Sequence, residues 1–448
     1  MKKLFTTLSN IWKIEDLRVR IINTLLFLLI YRVGSYVVLP GVDANTLNSQ
    51  AGNEGLLGLL NMFAGGSFSR ASIFALGVMP YISASIVMQL LGIAVPYFAK
   101  MQKEGESGQN KINQWTRYMT IGITGLQAIG YVRSQIPDAG RLITDPYFTV
   151  VTTFTLTAGT LFVMWLGEKI TDKGIGNGIS LIIMVGIIAS LPGALVDEFS
   201  RVVTGDGGGP IVFIVELVAL LVVVMFTILI VQGTRKVAVQ YAKRIVGNKQ
   251  YGGVRQYIPL KLIAANVMPI IFAQALMFIP ATIGSFFPKI ASNSLVIALS
   301  NYTTWQHNLL FVVMIILFTY FYTAITVNPK QMADDMKKNG GFIPGVKPGV
   351  ATSDYLDAVI SKITLPGSIF LALIAIIPAF ANLMHLNSQF ARFFGGTSLI
   401  ILVGVVLDTL QQIESHLLMR HYDGLMKTGR IKGRSSVPAA AGTLPPVI

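Results

Sequence analysis

Ten runs of predominantly apolar residues punctuate the chain, at about 21–39, 73–97, 118–136, 147–167, 179–196, 211–232, 260–285, 308–328, 363–383 and 395–414. Each is long enough to cross a bilayer as a helix, which takes ~20 residues. The pattern predicts an all-α polytopic membrane protein with ten spans. The exception to regularity lies in MFAGGSFSRASIFALGVMPYISASIVMQLL (62–91), which is apolar enough for a membrane but is interrupted. Gly65 and Gly66 break it, Arg70 charges it, and Pro80 lacks the N–H that a helix interior needs. Serine hydroxyls recur at Ser67, Ser69, Ser72, Ser83 and Ser85. Such backbone persists at membrane depth only inside protein or beside water. A short half-helix followed by a longer helix from about Ile73, bordering a pore, is the economical reading; an interfacial loop leading into an ordinary span is the alternative. Residues 1–20, with Leu4, Leu8, Ile11 and Trp12 at helical spacing, predict an amphipathic helix lying on the membrane surface rather than a removable signal peptide.

Composition agrees. Mean hydropathy is +0.63 and 12% of the 448 residues are charged, against about 25% in soluble domains. With no cysteine, disulfides and thiolate metal sites are excluded. The connections alternate in basic content: 28 of the 35 Lys and Arg residues fall in the N-terminus, every second connection and the C-terminal tail. By the positive-inside rule that side is cytoplasmic, termini included, in the cytoplasmic membrane. Two of its loops, 233–260 and 329–362, are longer than a connection requires. They interleave cations (Arg235, Lys236, Lys243, Arg244, Lys249, Lys337, Lys338, Lys347) with aromatic residues such as Tyr241, Tyr257 and Phe342. Part of this charge sets topology; the sharper reading is a docking surface for a polyanionic or acidic partner.

The motifs of an enzyme or an ATP-driven machine are missing. There is no G-x-x-x-x-G-K-[ST], no H-E-x-x-H and no G-x-S-x-G. Glycines at 174–178 follow a span rather than a strand and read as a tight connection. His307, His385, His416 and His421 are scattered, which argues against a metal site. Intramembrane ionisable groups are functional candidates by default. Three qualify: Arg32, placed to snorkel outward or pair with an acidic neighbour, Glu216 near the outer boundary of its span, and Asp408 near the cytoplasmic end of its own. They do not make the carboxylate chain of a proton-coupled carrier, so a secondary solute carrier is the runner-up reading. An intramembrane hydrolase would need a Ser/His or Asp pair at depth.

Several stretches carry a family resemblance, in order along the chain: NMFAGGSFSRASIFALGVMPYISAS (61–85), KEGESG (103–108), MWLGEKITDKGIGNGIS (164–180), VQYAKR (239–244), IPLK with FIPATI (258–283), NPKQMADDMKKNGGFIPGVKPG (328–349) and FGGTSL (394–399). From about Ile21 to Lys432 the chain resembles the SecY family of protein-conducting channels. The resemblance implies two pseudo-symmetric five-helix halves, 21–196 and 211–414. They hinge at the outer loop 197–210 and carry a cytoplasmic tail over 415–448. It implies a non-enzymatic channel without cofactor or metal, which passes unfolded secretory proteins and releases apolar segments sideways into lipid.

It further implies a plug at about 60–72, holding Phe63, Gly65, Gly66, Ser67, Ser69 and Arg70. A pore ring falls on Val78, Ile82, Ile86, Ile179, Ile183, Ile271 and Ile401, with Val78 standing where the family has Ile. A lateral gate falls between the second and seventh spans, where Ser83, Ser85, Gln89, Asn266 and Gln274 could hydrogen-bond across the seam. Lys347 occupies a docking position at which the family usually has Arg. The implied partners are SecE and SecG small subunits, the SecA ATPase motor, the ribosome, an unfolded preprotein or signal peptide, and the lipid bilayer.

Overall fold

The computed structural model describes residues 12, 14–43, 56–204, 209–241, 244–246, 249–251, 255–264, 267–286, 294–301, 303–384 and 386–428. Each predicted apolar run coincides with one long helix. These are α1 (Glu15–Gly34), α2 (Met79–Ala94), α3 (Glu106–Gln135), α4 (Tyr147–Lys173), α5 (Gly178–Val203), α6 (Pro210–Gln232), α7 (Met268–Phe286), α8 (Trp305–Thr326), α9 (Val350–Leu383) and α10 (Gly396–Thr428). Among the described residues six helices are individually long and apolar enough to cross a membrane, or seven when a bent pair counts as one span. The bend lies at Val95, where α2 turns by 103° into the short helix Pro96–Lys103. Pro96 disfavours helical geometry at the residue before it, and Val95 is extended (φ −112°, ψ 118°).

Polarity runs inside out relative to a soluble protein. Along α6, Ile211, Ile214, Val218, Leu221, Val222 and Leu229 are all exposed, as a lipid-facing helix requires. Hydroxyls within the helices turn back on their own backbone instead: Thr116, Thr120 and Thr124 of α3 donate to the carbonyls one turn earlier at 2.6–2.9 Å, and Thr319 and Thr323 of α8 do so at 2.6 Å. That local bond removes the cost of burying a hydroxyl.

Packing repeats between the halves. In the first, α2 lies on α3, α3 on α4 and α4 on α5; in the second, α7 lies on α8, α8 on α9 and α9 on α10. The halves meet along two edges. At one, α5 packs on α6 and α10; at the other, α7 packs on α2 and α3. This is the two-sided arrangement that the resemblance implies.

The α5/α6 edge is cross-linked by charge. Helix α5 continues to Val203, so much of the expected loop 197–210 is helical and carries Glu198 fully buried. Glu198 accepts from Arg201 Nε (3.1 Å) and from the backbone N–H of Asn387 (3.0 Å), while Arg201 also faces Glu216 of α6 at 3.8 Å. One carboxylate thereby ties α5 to the segment before α10. Removing one partner of a buried ion pair typically costs about 3 kcal/mol or more. Glu198→Ala is accordingly expected to lower the melting temperature of the detergent-solubilised protein by several degrees; an unchanged transition would mean the network contributes nothing.

At the basic end the two long loops are partly folded. Strands β1 (Thr234–Tyr241) and β4 (Arg255–Lys261) pair antiparallel, from Thr234 opposite Lys261 to Gln240 opposite Arg255. Between them β2 (Arg244–Val246) pairs with β3 (Lys249–Tyr251), and β5 (Gly341–Phe342) joins the other edge of β1. Val237, Val239 and Leu260 bury one face against Met336, Ile343 and Leu356. The chain closes this unit with a hydrogen bond from the Leu262 N–H to the Gly233 carbonyl (2.8 Å).

Candidate functional site

The broken stretch differs in detail from its expectation. Its helix spans Leu56–Phe63, residues 64–78 form successive turns, and α2 begins at Met79, six residues beyond Ile73. Left-handed backbone explains the delay, with φ of +64° at Gly65, +83° at Gly66, +45° at Ala71 and +54° at Gly77. Pro80 sits in the first turn of α2, where its missing N–H costs nothing.

Backbone outside a helix must find partners at such depth. Here side chains from α1, from α3 and from the segment itself supply them. Tyr31 Oη donates to the Ala64 carbonyl (3.5 Å), Tyr131 Oη to Phe68 (2.6 Å), and Arg32 Nη1 and Arg70 Nη2 both to Gly65 (2.9 Å each). Ser67 is fully buried and its hydroxyl reaches the Ala64 and Phe74 carbonyls, while Asn61 Oδ1 accepts from the Ser69 N–H (3.0 Å). The guanidiniums of Arg32 and Arg70 also lie 4.8 and 4.5 Å from the Tyr36 ring centroid. Among the described residues, Arg32 therefore clasps this segment and pairs with no carboxylate. Opposite, Gly186 of α5 admits the segment: a Cβ there would lie 2.3 Å from the Phe63 carbonyl oxygen. At the start of the short helix, a Cβ on Gly58 would strike the guanidinium of buried Arg392, from the segment before α10. The helix is wedged between the halves.

Directly beside it lies a small, partly open cavity of about 20 Å³, walled by Val78 and Ile82 of the second span, Ile183 of α5, Ile271 of α7 and Ile401 of α10, with Phe63 of the broken segment also in its lining. Five of the seven expected ring residues thus converge from four helices. Ile86 and Ile179 do not reach this cavity; each lies one helical turn from a member (Ile82, Ile183) and packs into the surrounding core. Gln274 and Thr397 also line it.

The seam between α2 and α7 departs from its expectation. Gln89 Nε2 donates to Ser85 Oγ (3.4 Å) within α2, and no hydrogen bond joins Ser83, Ser85 or Gln89 to Gln274 among the described residues. Gln274 is rotated into the cavity, because it sits three residues after Ile271 on the same face of α7. Asn266 lies outside the described residues, as does Lys243. Of the other basic candidates, Arg235, Lys236, Lys337, Lys338 and Lys347 are exposed on the sheet, the helix Pro329–Lys338 and the turn after β5, and Arg244 and Lys249 lie on the paired strands β2 and β3. Tyr31, Tyr131, Gly186, Glu198, Arg392 and Thr397 escaped the sequence reading. Thr397 left a trace there, inside the stretch FGGTSL (394–399), and Gly186 sits three residues after a ring isoleucine.

Ten long helices among the described residues, in two matching sets of five around an apolar constriction with a wedged, side-chain-strapped segment beside it, define a polytopic membrane channel. The family model for SecY matches residues 72–410. A curated relative named protein translocase subunit SecY, from Streptomyces scabiei, is 42% identical over 441 residues, covering 95% of this chain and 100% of the relative. One of the same name from Halalkalibacterium halodurans is 43% identical over 432 residues, again covering 95% and 100%. The chain belongs to the SecY family. Its fold is also similar to solved structures described as a protein-conducting channel (TM-score 0.64, 18% identity, 92% of this chain and 95% of that one) and as Sec61 in the canine ribosome–channel complex (TM-score 0.60, 17% identity, 92% and 95%).

Proposed function

We propose that the chain is the channel subunit of a bacterial translocase, conducting unfolded secretory polypeptides between its halves and releasing apolar segments into lipid between α2 and α7. The observation that carries this reading is the constriction itself. A channel for arbitrary side chains must seal without binding, and branched apolar residues from four helices close the gap without a fixed polar filter. A carrier would instead hold charge at mid-membrane, whereas Glu216 faces Arg201 at the α5/α6 edge. By this reading the basic loops and both termini face the cytoplasm, since that side carries the excess of Lys and Arg. The segment 56–72 is the plug, and α5/α6 is the hinge. Energy comes from partners: a SecA-type motor or a translating ribosome at the basic sheet and the Lys347 turn, with SecE- and SecG-type subunits beside the spans. Solved neighbours of similar fold include channels bound to ribosomes.

A single cysteine at Ser67 tests the plug. Fully buried at rest, it is expected to react with an aqueous thiol probe applied from the outer side at least about tenfold faster once an arrested precursor holds the channel open, an equilibrium shift of ~1.4 kcal/mol. Equal rates in both states would make the segment a static part of the wall.

A further inference from the structure

We propose that the closed constriction binds one water molecule between Gln274 and Thr397, and that this hydrated amide sets how readily the channel opens. Both side chains reach the cavity through helix geometry: Gln274 follows Ile271 by three residues on α7, and Thr397 precedes Ile401 by four on α10. Both are buried, at 4% and 3% exposure, and both line the same 20 Å³ cavity. The Gln274 Nε2 has no hydrogen-bond partner among the described residues. An amide donor left dry at such a position is costly, and an enclosed space of about 10–15 Å³ or more with polar partners accepts one water. The cavity is therefore the right size for one molecule, and its wall offers an amide and a hydroxyl amid apolar side chains.

The consequence for opening follows from what each state gives the amide. Closed, it has one water and a neighbouring hydroxyl within an otherwise greasy wall. Open, it meets bulk water. The amide therefore favours the open state, and the water it holds is the point from which the constriction wets when the halves part. An apolar residue of the same shape reverses both effects: it packs better in the closed seal and is poorly solvated when exposed. Gln274 in this way lowers the strength of signal needed to open the channel, a consequence that rests on the channel reading given above.

Gln274→Met and Thr397→Val are near-isosteric tests. In vesicles supplied with motor and ATP, Gln274→Met is expected to reduce transport of a precursor with a shortened signal segment about tenfold, the shift that corresponds to ~1.4 kcal/mol, while a precursor with a strong signal is little affected. Thr397→Val acts in the same direction, and the double variant matches Gln274→Met alone, because both groups hold the same molecule. Weak-signal transport equal to wild type in Gln274→Met, or additive losses in the double variant, overturns the proposal. A cryo-EM map good enough to show other buried waters decides the site independently of transport. Density between Gln274 and Thr397 that disappears in Gln274→Met supports it, and no density there in wild type overturns it. Wild-type chain that carries neither precursor counts against the channel reading alone, and the map still settles the water.

Discussion

Ile82→Asn, Ile183→Asn and Ile401→Asn are each expected to raise the resting ion conductance of the channel in planar bilayers, by roughly tenfold or more, because an apolar constriction blocks ions by excluding water. The three residues come from α2, α5 and α10, are 7%, 3% and 2% exposed, and face one cavity. An amide at any of them adds a donor and an acceptor to a wall whose other polar groups are only Gln274 and Thr397, and water then gains by entering. Ile86→Asn is the internal control, since Ile86 lies one turn away from the cavity and packs into the core. It should destabilise the protein more than it opens it. Unchanged conductance in all three primary variants would remove the seal from these residues.

Lys347→Glu is expected to abolish motor- or ribosome-dependent transport of a secretory precursor while leaving the channel folded. The side chain is exposed, and the turn that carries it is fixed by its backbone: Thr352 Oγ1 donates to the Lys347 carbonyl (2.9 Å), and Gly345 and Gly349 take φ of +86° and +107°. A charge reversal there alters what a partner meets without disturbing the buried face under β1 and β4. Lys347→Arg is expected to be tolerated, since it keeps the charge and adds a bidentate donor. If the lysine serves only topology, Lys337, Lys338 and Lys362 in the same loop suffice and Lys347→Glu transports normally. Motor binding measured beside transport separates the outcomes, and normal values for both would exclude a docking role.

Hydropathy alone located all ten long helices, because ~20 apolar residues in a row leave few alternatives. It could not set the start of α2. Residues 73–78 are as apolar as the helix that follows, and what keeps them out of it is left-handed backbone at Ala71 and Gly77, in a segment whose Ala64 and Phe68 carbonyls are capped by Tyr31 and Tyr131, distant in sequence. Glu198 falls within the expected outer loop 197–210, and nothing local in the sequence announces that Asn387 meets it. The sheet at the basic end is only weakly encoded in the local pattern. The β-branched pair Val237 and Val239, flanked by Lys236 and Gln240, carries a strand signal, but Ala238 and Pro259 interrupt the alternation of apolar and polar residues on both strands. The direction of Gln274 depends on the rotation of α7, which seam polarity did not reveal.

That sheet has a mechanical meaning. Strand β1 leaves α6 after a single residue and β4 runs back toward α7, with the Leu262–Gly233 bond pinching the two ends together. Helix α6 borders one edge between the halves and α7 the other. A partner pushing on the sheet therefore loads both helices at once and applies a torque to the second half as a block, instead of bending one helix in isolation. If α5/α6 is the hinge proposed above, the stiffness of two short strands converts a local push, on a surface far from the seal, into rotation about that edge.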